Sequence, residues 1–468
     1  MDVESFFELE ENDTDVRTEL LAGVTTFLTI SYIIVVNPTI LSQAISIEGF
    51  TQTEVFQMIA VVTIISSVVA MIVMGVYANL PFALAPGIGL NAFFAFTVVL
   101  GLGVRWQTAL AAVFVEGLIF VALTITGARS YVISIFPKPV KLAVGSGIGA
   151  FLLMIGLQEM EVVIDDPANL VTLGNIASNP VAMLGLFGTV IIFILWARDV
   201  TGEIIIGIGL STLAGYLLTL AGVVEPGIVV NDGVLNTVSE GGILTLLAST
   251  QFDISPLAGA FIEGFTNIEV GTFLLVVLTF FFVDFFDTAG ALIGLGQYGG
   301  YLNEEEELPE MDKALLADGV GTTIGGMLGT STISTYIQSS TGIEEGGRTG
   351  LTVLTTAGLF ILSIPLISII TAIPTYASFS ALVVVGIMMF EGVTDIDWED
   401  PTWAIPAGLT IIVMPITYSI ADGIAAGIII YPVIKSFTDG YDSVTAGQWS
   451  MAVVLATYYL LQTGNFAI

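Results

Sequence analysis

The chain has 468 residues, of which 55% are hydrophobic and only 11% charged, with 9 Lys and Arg against 42 Asp and Glu for a formal charge of −33. Soluble domains carry about 25% charged residues, and a soluble chain of this length would split into several domains, each needing a charged surface, so most of this surface must face lipid. The acidic balance repels nucleic acid and anionic lipid and suits a cation-rich, halophilic setting, while the absence of Cys and His excludes disulfides, thiol nucleophiles, ordinary zinc sites and His-based triads.

Residues 1–18 form an acidic tail without a basic stretch, so no cleaved signal peptide is expected. A membrane span needs about 20 mostly apolar residues. Candidate spans follow at 19–37, 55–77, 82–100, 107–127, 140–158, 180–197, 202–221, 271–297, 314–328, 330–344, 349–371, 375–391, 402–418 and 420–436. That is about fourteen spans of an all-α polytopic membrane protein, several of them short or interrupted by Gly and Pro. The apolar stretch 446–462 is either an extra span or an interfacial helix. The acidic stretch 159–178, the Gly-rich stretch 222–253 and the acidic loop Glu304 to Glu307 read as solvated connections. No Gly-Lys pair occurs, which excludes a P-loop and ATP-driven pumping.

The few basic residues orient the chain. With the N-terminus in the cytoplasm, Arg17, Arg129, Lys138, Lys141, Arg198, Lys313, Arg348 and Lys435 all fall on the cytoplasmic side. Arg105 is the exception. The positive-inside rule counts Lys and Arg and largely ignores acids, so this pattern predicts a multi-pass plasma-membrane protein with a cytoplasmic N-terminus.

The halves look related. LAGVTTFLTISYIIVVNP resembles GTFLLVVLTFFFVDFFDTAG seven spans later, and two short, broken segments, PFALAPGIGLNAFFAF and GTSTISTYIQSSTG, stand at matching positions. An odd number of spans per repeat inverts the second copy. Paired interrupted segments of this kind point to a transporter's binding site.

Three segments carry chemistry. In the third, Pro86 and Gly87 break the helix, and exposed backbone is tolerated at this depth only inside protein or beside a cavity. Asn91 there offers donor and acceptor to a heterocycle edge, and Phe93 or Phe94 could stack on a ring; tight helix packing is the competing reading. In the eighth, Asp284, Asp287 and Thr288 share a helical face. A carboxyl inside the membrane is costly and therefore functional by default, and it can take up and release a proton. The tenth segment is dense in hydroxyls and holds Gln338, as versatile a partner as Asn91. Glu116 and Asp422 are further acids within spans, suited to helix–helix bonds or a proton relay.

These motifs resemble one family. TTFLTISYIIVVNP (25–38), APGIGLNAFFAFTVV (85–99), FVDFFDTAGALIG (282–294), ALLADGVGTTIGGMLGTSTISTYIQSSTG (314–342), GGRTGLT (346–352) and MPITYSIADGIAAG (414–427) are similar to the nucleobase/ascorbate transporters, in the AzgA-like branch of hypoxanthine, guanine and adenine permeases. The resemblance implies two inverted seven-segment repeats. A core domain would span 19–127 and 271–371, a gate domain 140–221 and 375–436, and residues 446–468 would add a C-terminal apolar segment. Short β-strands are implied in segments 3 and 10. The family implies a proton-coupled importer that works as a homodimer, with no cofactor; Na⁺ is the alternative coupling ion. Carried over by position, Asn91, Asp284, Thr288, Gln338 with its neighbour Ile337, and Phe93 or Phe94 would form the purine site, and Asp284, Asp287 and Glu116 would serve proton coupling. Gln338 stands where the family usually has Glu.

Rival readings are the same architecture serving uracil, xanthine or a small anion, an intramembrane aspartyl hydrolase, and a channel. Two acids disfavour an anion site. Aspartyl hydrolases set their acids on separate helices, and paired broken helices favour a carrier over a channel.

Overall fold

A computed structural model describes residues 2–127, 135–266, 268–303, 308–309 and 311–463. Arg129 and the acids Glu304 to Glu307 lie outside the described residues. The fold is mostly helical, as its composition demands, because in lipid each backbone polar group needs an internal partner. Among the described residues nine helices are long and apolar enough to cross a membrane, and three shorter apolar helices cover Ile88–Gly101, Pro180–Trp196 and Pro401–Thr417.

The first candidate span, Val16–Ala44, runs on as one helix that tightens midway. It comprises α1 (Val16–Ile30) and α2 (Ile33–Ala44), and the ladder tightens between them, with the amides of Ile34 and Val35 bonding the carbonyls of Ser31 and Tyr32. α3 (Gln52–Val73) starts from a capping box of Thr51 and Glu54, then widens into a turn over Met74–Ala78. After β1 (Leu84–Pro86), α4 (Ile88–Ala92) continues as a wider helix over Phe93–Gly101. α5 (Trp106–Thr126) and α6 (Lys138–Glu159) follow. The acidic stretch is a hairpin of β2 (Val163–Asp166) and β3 (Leu170–Leu173). Next come α7 (Pro180–Trp196), capped by Asn179, α8 (Glu203–Leu220) and α9 (Asp232–Ala248), which bends at Gly242.

The second half opens with α10 (Val270–Gly299), capped by Glu269, and α11 (Met311–Leu328). β4 (Ile333–Thr335) leads into α12 (Ser340–Glu344). α13 (Gly350–Ser363), α14 (Thr375–Met388), α15 (Pro401–Thr417), α16 (Ile420–Asp439) and α17 (Ala446–Thr463) complete the chain.

Packing sorts the long helices into two groups. α1, α2, α3, α5, α10, α11 and α13 pack on one another around β1 and β4, while α6, α7, α8, α14, α15 and α16 form a second cluster. Among the described residues, side-chain hydrogen bonds joining the groups include Thr39 to Ser378 (3.3 Å), Gln43 to Glu159 (3.2 Å) and Thr97 to the carbonyl of Tyr418 (2.8 Å). α17 returns antiparallel along α16, its Tyr459 hydroxyl donating to Asp422 at 2.7 Å.

Candidate functional site

The two broken segments meet in an antiparallel ribbon, with Leu84 opposite Thr335, Ala85 opposite Ser334 and Pro86 opposite Ile333. The short strands expected in segments 3 and 10 are therefore β1 and β4. Tyr336 N–H donates to Ala83 O (2.9 Å) and Gly87 N–H to Thr332 O (3.1 Å). Bonded and non-bonded pairs alternate in such a ribbon, so Pro86 falls at a non-bonded position and its missing N–H costs nothing. Side chains fix the ribbon from both ends. Tyr336 donates its hydroxyl to Pro86 O (2.6 Å), Ser339 accepts from Ala83 N–H (2.9 Å), and Ser331 donates to Asn91. Asn37 on α2 donates to Thr330 (2.9 Å) and Thr63 (2.6 Å). A Cβ on Gly87 would stand 2.6 Å from Ser334 Oγ, so a larger residue there would have to displace that hydroxyl.

A cavity of about 110 Å³ lies beside this crossing. Tyr32, Gly87, Ile88, Gly89, Asp287, Ala291, Ile337 and Gln338 wall it from the first helix group, and Val385 and Met389 from the second. Ile88 and Gly89 begin a helix, so their N–H groups have no carbonyl one turn back to pair with. The cavity thus gathers a carboxyl, an amide that both donates and accepts, and a helix start that favours an electron-rich edge. Among the described residues no Lys or Arg lines it. That set suits a small neutral heterocycle with N–H donors and ring acceptors, and it disfavours an anion.

The sequence-predicted residues divide between this cavity and the protein behind it. Asp287, Gln338 and Ile337 line it. Asp284 and Thr288 do not, because a three-residue step on a helix leaves side chains about 60° apart. That offset points Asp287 into the cavity and turns Asp284 and Thr288 toward α11. Thr288 is buried and donates to Asp318 Oδ2 at 2.5 Å. Asp284 is fully buried between Glu116 on α5 and Asp318 on α11, with Thr322 Oγ1 3.4 Å away. Both oxygens of Glu116 are buried beside this pair without a hydrogen-bond partner. The three carboxyls thus gather in the dry interior behind the site, an arrangement chemically suited to holding protons.

Asn91, Phe93 and Phe94 also lie off the cavity wall. Asn91 is buried and ties segment 3 to Ser331. Phe93 sits against Phe280 with ring centroids 4.9 Å apart, and Phe94 is fully buried. The helix starting at Ile88 carries residues 93 and 94 more than a turn beyond the cavity, so neither ring can stack there. Sequence reading missed Tyr32 and Asp318. Tyr32 lines the cavity from the tightened turn between α1 and α2. Asp318 follows an apolar run in segment 9, and its isolated charge was the available signal.

A larger cavity, about 620 Å³, lies at the helix ends near Gln43, Glu159 and Tyr376, away from the broken segments.

Residues 17–426 match the family Xan_ur_permease, described as a permease family. The chain is 39% identical to the guanine/hypoxanthine permease PbuG of Bacillus subtilis, over 98% of this chain and 99% of that protein. It is 37% identical to the adenine permease AdeP of Escherichia coli, over 92% and 90% of the two chains. Among solved structures, the transmembrane domain of a cyanobacterial bicarbonate transporter, BicA, superposes with a TM-score of 0.60 at 16% identity, covering 88% of this chain and 97% of that one. At that identity the likeness concerns the fold alone.

Proposed function

The chain belongs to this permease family, within the nucleobase/ascorbate transporters, and on that premise we propose that it carries purine nucleobases across the plasma membrane by alternating access. The observation that carries the reading is the small cavity at the ribbon crossing, where Asp287 and Gln338 face one space. Relatives named as guanine/hypoxanthine and adenine permeases supply the substrate class.

In this reading Asp287 accepts from ring N–H groups and Gln338 bonds the purine edge, while Tyr32 and Ile337 bound its faces. Asn91 and Thr288 act from behind, Asn91 by holding segment 3 to segment 10. Asp284, Glu116 and Asp318 hold the coupled proton, with Na⁺ as the alternative ion. The first helix group is the core, and the second is the gate that rocks against it. The protein works as a homodimer. A cytoplasmic N-terminus is supported by the positions of the basic residues, Arg105 excepted.

Cells expressing the chain should accumulate labelled hypoxanthine, guanine or adenine, and a collapsed proton gradient should stop accumulation. Asp287→Asn should reduce uptake at least about tenfold, the effect of one lost charge-assisted hydrogen bond. Absence of uptake of any purine overturns the assignment, and full uptake by Asp287→Asn removes that residue's role.

A further inference from the structure

β4 bonds β1 along one edge only. Its other edge presents the N–H and C=O of Ile333 and the N–H of Thr335, because alternate residues of an antiparallel pair turn these groups outward. α11 supplies both partners of Ile333 from one side chain. Thr322 Oγ1 accepts from Ile333 N–H (2.9 Å) while donating to Ile333 O (3.0 Å). Thr322 is fully buried, so water offers no substitute.

The Thr322 hydroxyl has one proton and two acceptors. The second is Asp284 Oδ2 at 3.4 Å, and Asp284 Oδ1 is buried without a partner. With a proton on Asp284, Thr322 gives its own proton to Ile333 O and holds the edge of β4. With Asp284 ionised, the carboxylate is the stronger acceptor and draws that proton away. Ile333 O is then left unpaired beside Ser334 and Thr335, which wall the cavity. We propose that Thr322 is the positioning residue through which the charge on Asp284 sets the grip of the purine cavity. The proposal rests on the reading of Asp284 as a proton-holding group. The other ionisable groups facing Asp284 are Glu116 from α5, Asp318 from α11 and Asp287 on its own helix, and they modulate where it titrates.

The test compares the KM for labelled purine at about pH 6 and about pH 8 in the wild type, Thr322→Ser and Thr322→Val. The wild type and Thr322→Ser should show a KM at least about fivefold lower at the acid pH, a normal size for coupling between two sites. Thr322→Val should lose that difference while its maximal rate stays pH-independent. A fivefold difference retained in Thr322→Val overturns the role of Thr322 alone. A wild type whose uptake ignores pH overturns the proton reading itself, and the link with it. Should Thr322→Val fail to insert, deuterium exchange over residues 330–336 replaces it. At about pH 8 this segment should exchange faster in the wild type than in Asp284→Asn, which keeps a neutral group there. Equal exchange in the two proteins overturns the proposal.

Discussion

Glu19 shows how much one side chain can organise at a distance. It is fully buried and accepts from the amides of Arg348 (2.8 Å), Thr349 (3.3 Å) and Thr352 (3.1 Å) and from the hydroxyls of Thr349 (2.9 Å) and Thr352 (2.6 Å). The free N–H groups that open α13 thus end on a carboxylate from α1, which the helix dipole also favours. Glu19→Ala strands those donors out of reach of water and should cost about 2–4 kcal/mol. The check is the melting temperature in detergent, which should fall by several degrees, and an unchanged melt would show that the donors find other partners. In the sequence Glu19 is one acid at the edge of an apolar run, and nothing local links it to residues more than 300 positions away. Asp287 and Asp284 make the same point at the site. Both were legible as functional acids, but their 60° separation acquires meaning only once the neighbours on either side are known.

At the scale of elements, the broken segments were the most legible feature. Pro86 with Gly87, and the hydroxyl-rich run from Thr330 to Thr341, disrupt helices by local chemistry that sequence displays. The tightened turn at Ser31 and Tyr32 was not legible, because its residues are equally compatible with a regular α-helix. Glycine positions divide in the same way. Along α13, a Cβ on Gly350 would stand 2.0 Å from the carbonyl of Gly75, whereas one on Gly358 meets nothing within 4 Å. Gly350→Ala should therefore push α13 off the turn at Met74–Ala78 and cost about 1–3 kcal/mol, as overpacking does. Gly358→Ala should be neutral or stabilising by up to about 1 kcal/mol, since alanine is the better helix former. Thermal melts of the two variants side by side check this, and equal destabilisation would contradict the contact.

For the whole molecule, the path of α17 decides the side on which the last residues lie. Eighteen residues at about 1.5 Å each give roughly 27 Å, close to the hydrocarbon thickness. The helix lies antiparallel to α16, and Tyr459 on it meets Asp422 near the start of α16. A reporter joined after Ile468 should consequently lie on the same side as Ser419, opposite Gly440. Because the chain has no cysteine of its own, single cysteines at Ser419 and Gly440 provide clean references for impermeant labelling. A reporter found on the Gly440 side would mean that α17 lies in the interface instead of crossing. By itself the sequence determined that the protein lives in lipid, which segments break and that it is a carrier of this family, because hydropathy, helix breakers and motif chemistry act through neighbours along the chain. Only the tertiary structure decided that Asp287 faces the cavity while Asp284 joins Glu116 and Asp318, that Tyr32 reaches the site, and that Phe93 and Phe94 do not. Those outcomes depend on helix rotation and on contacts between segments hundreds of residues apart, which local periodicity leaves open.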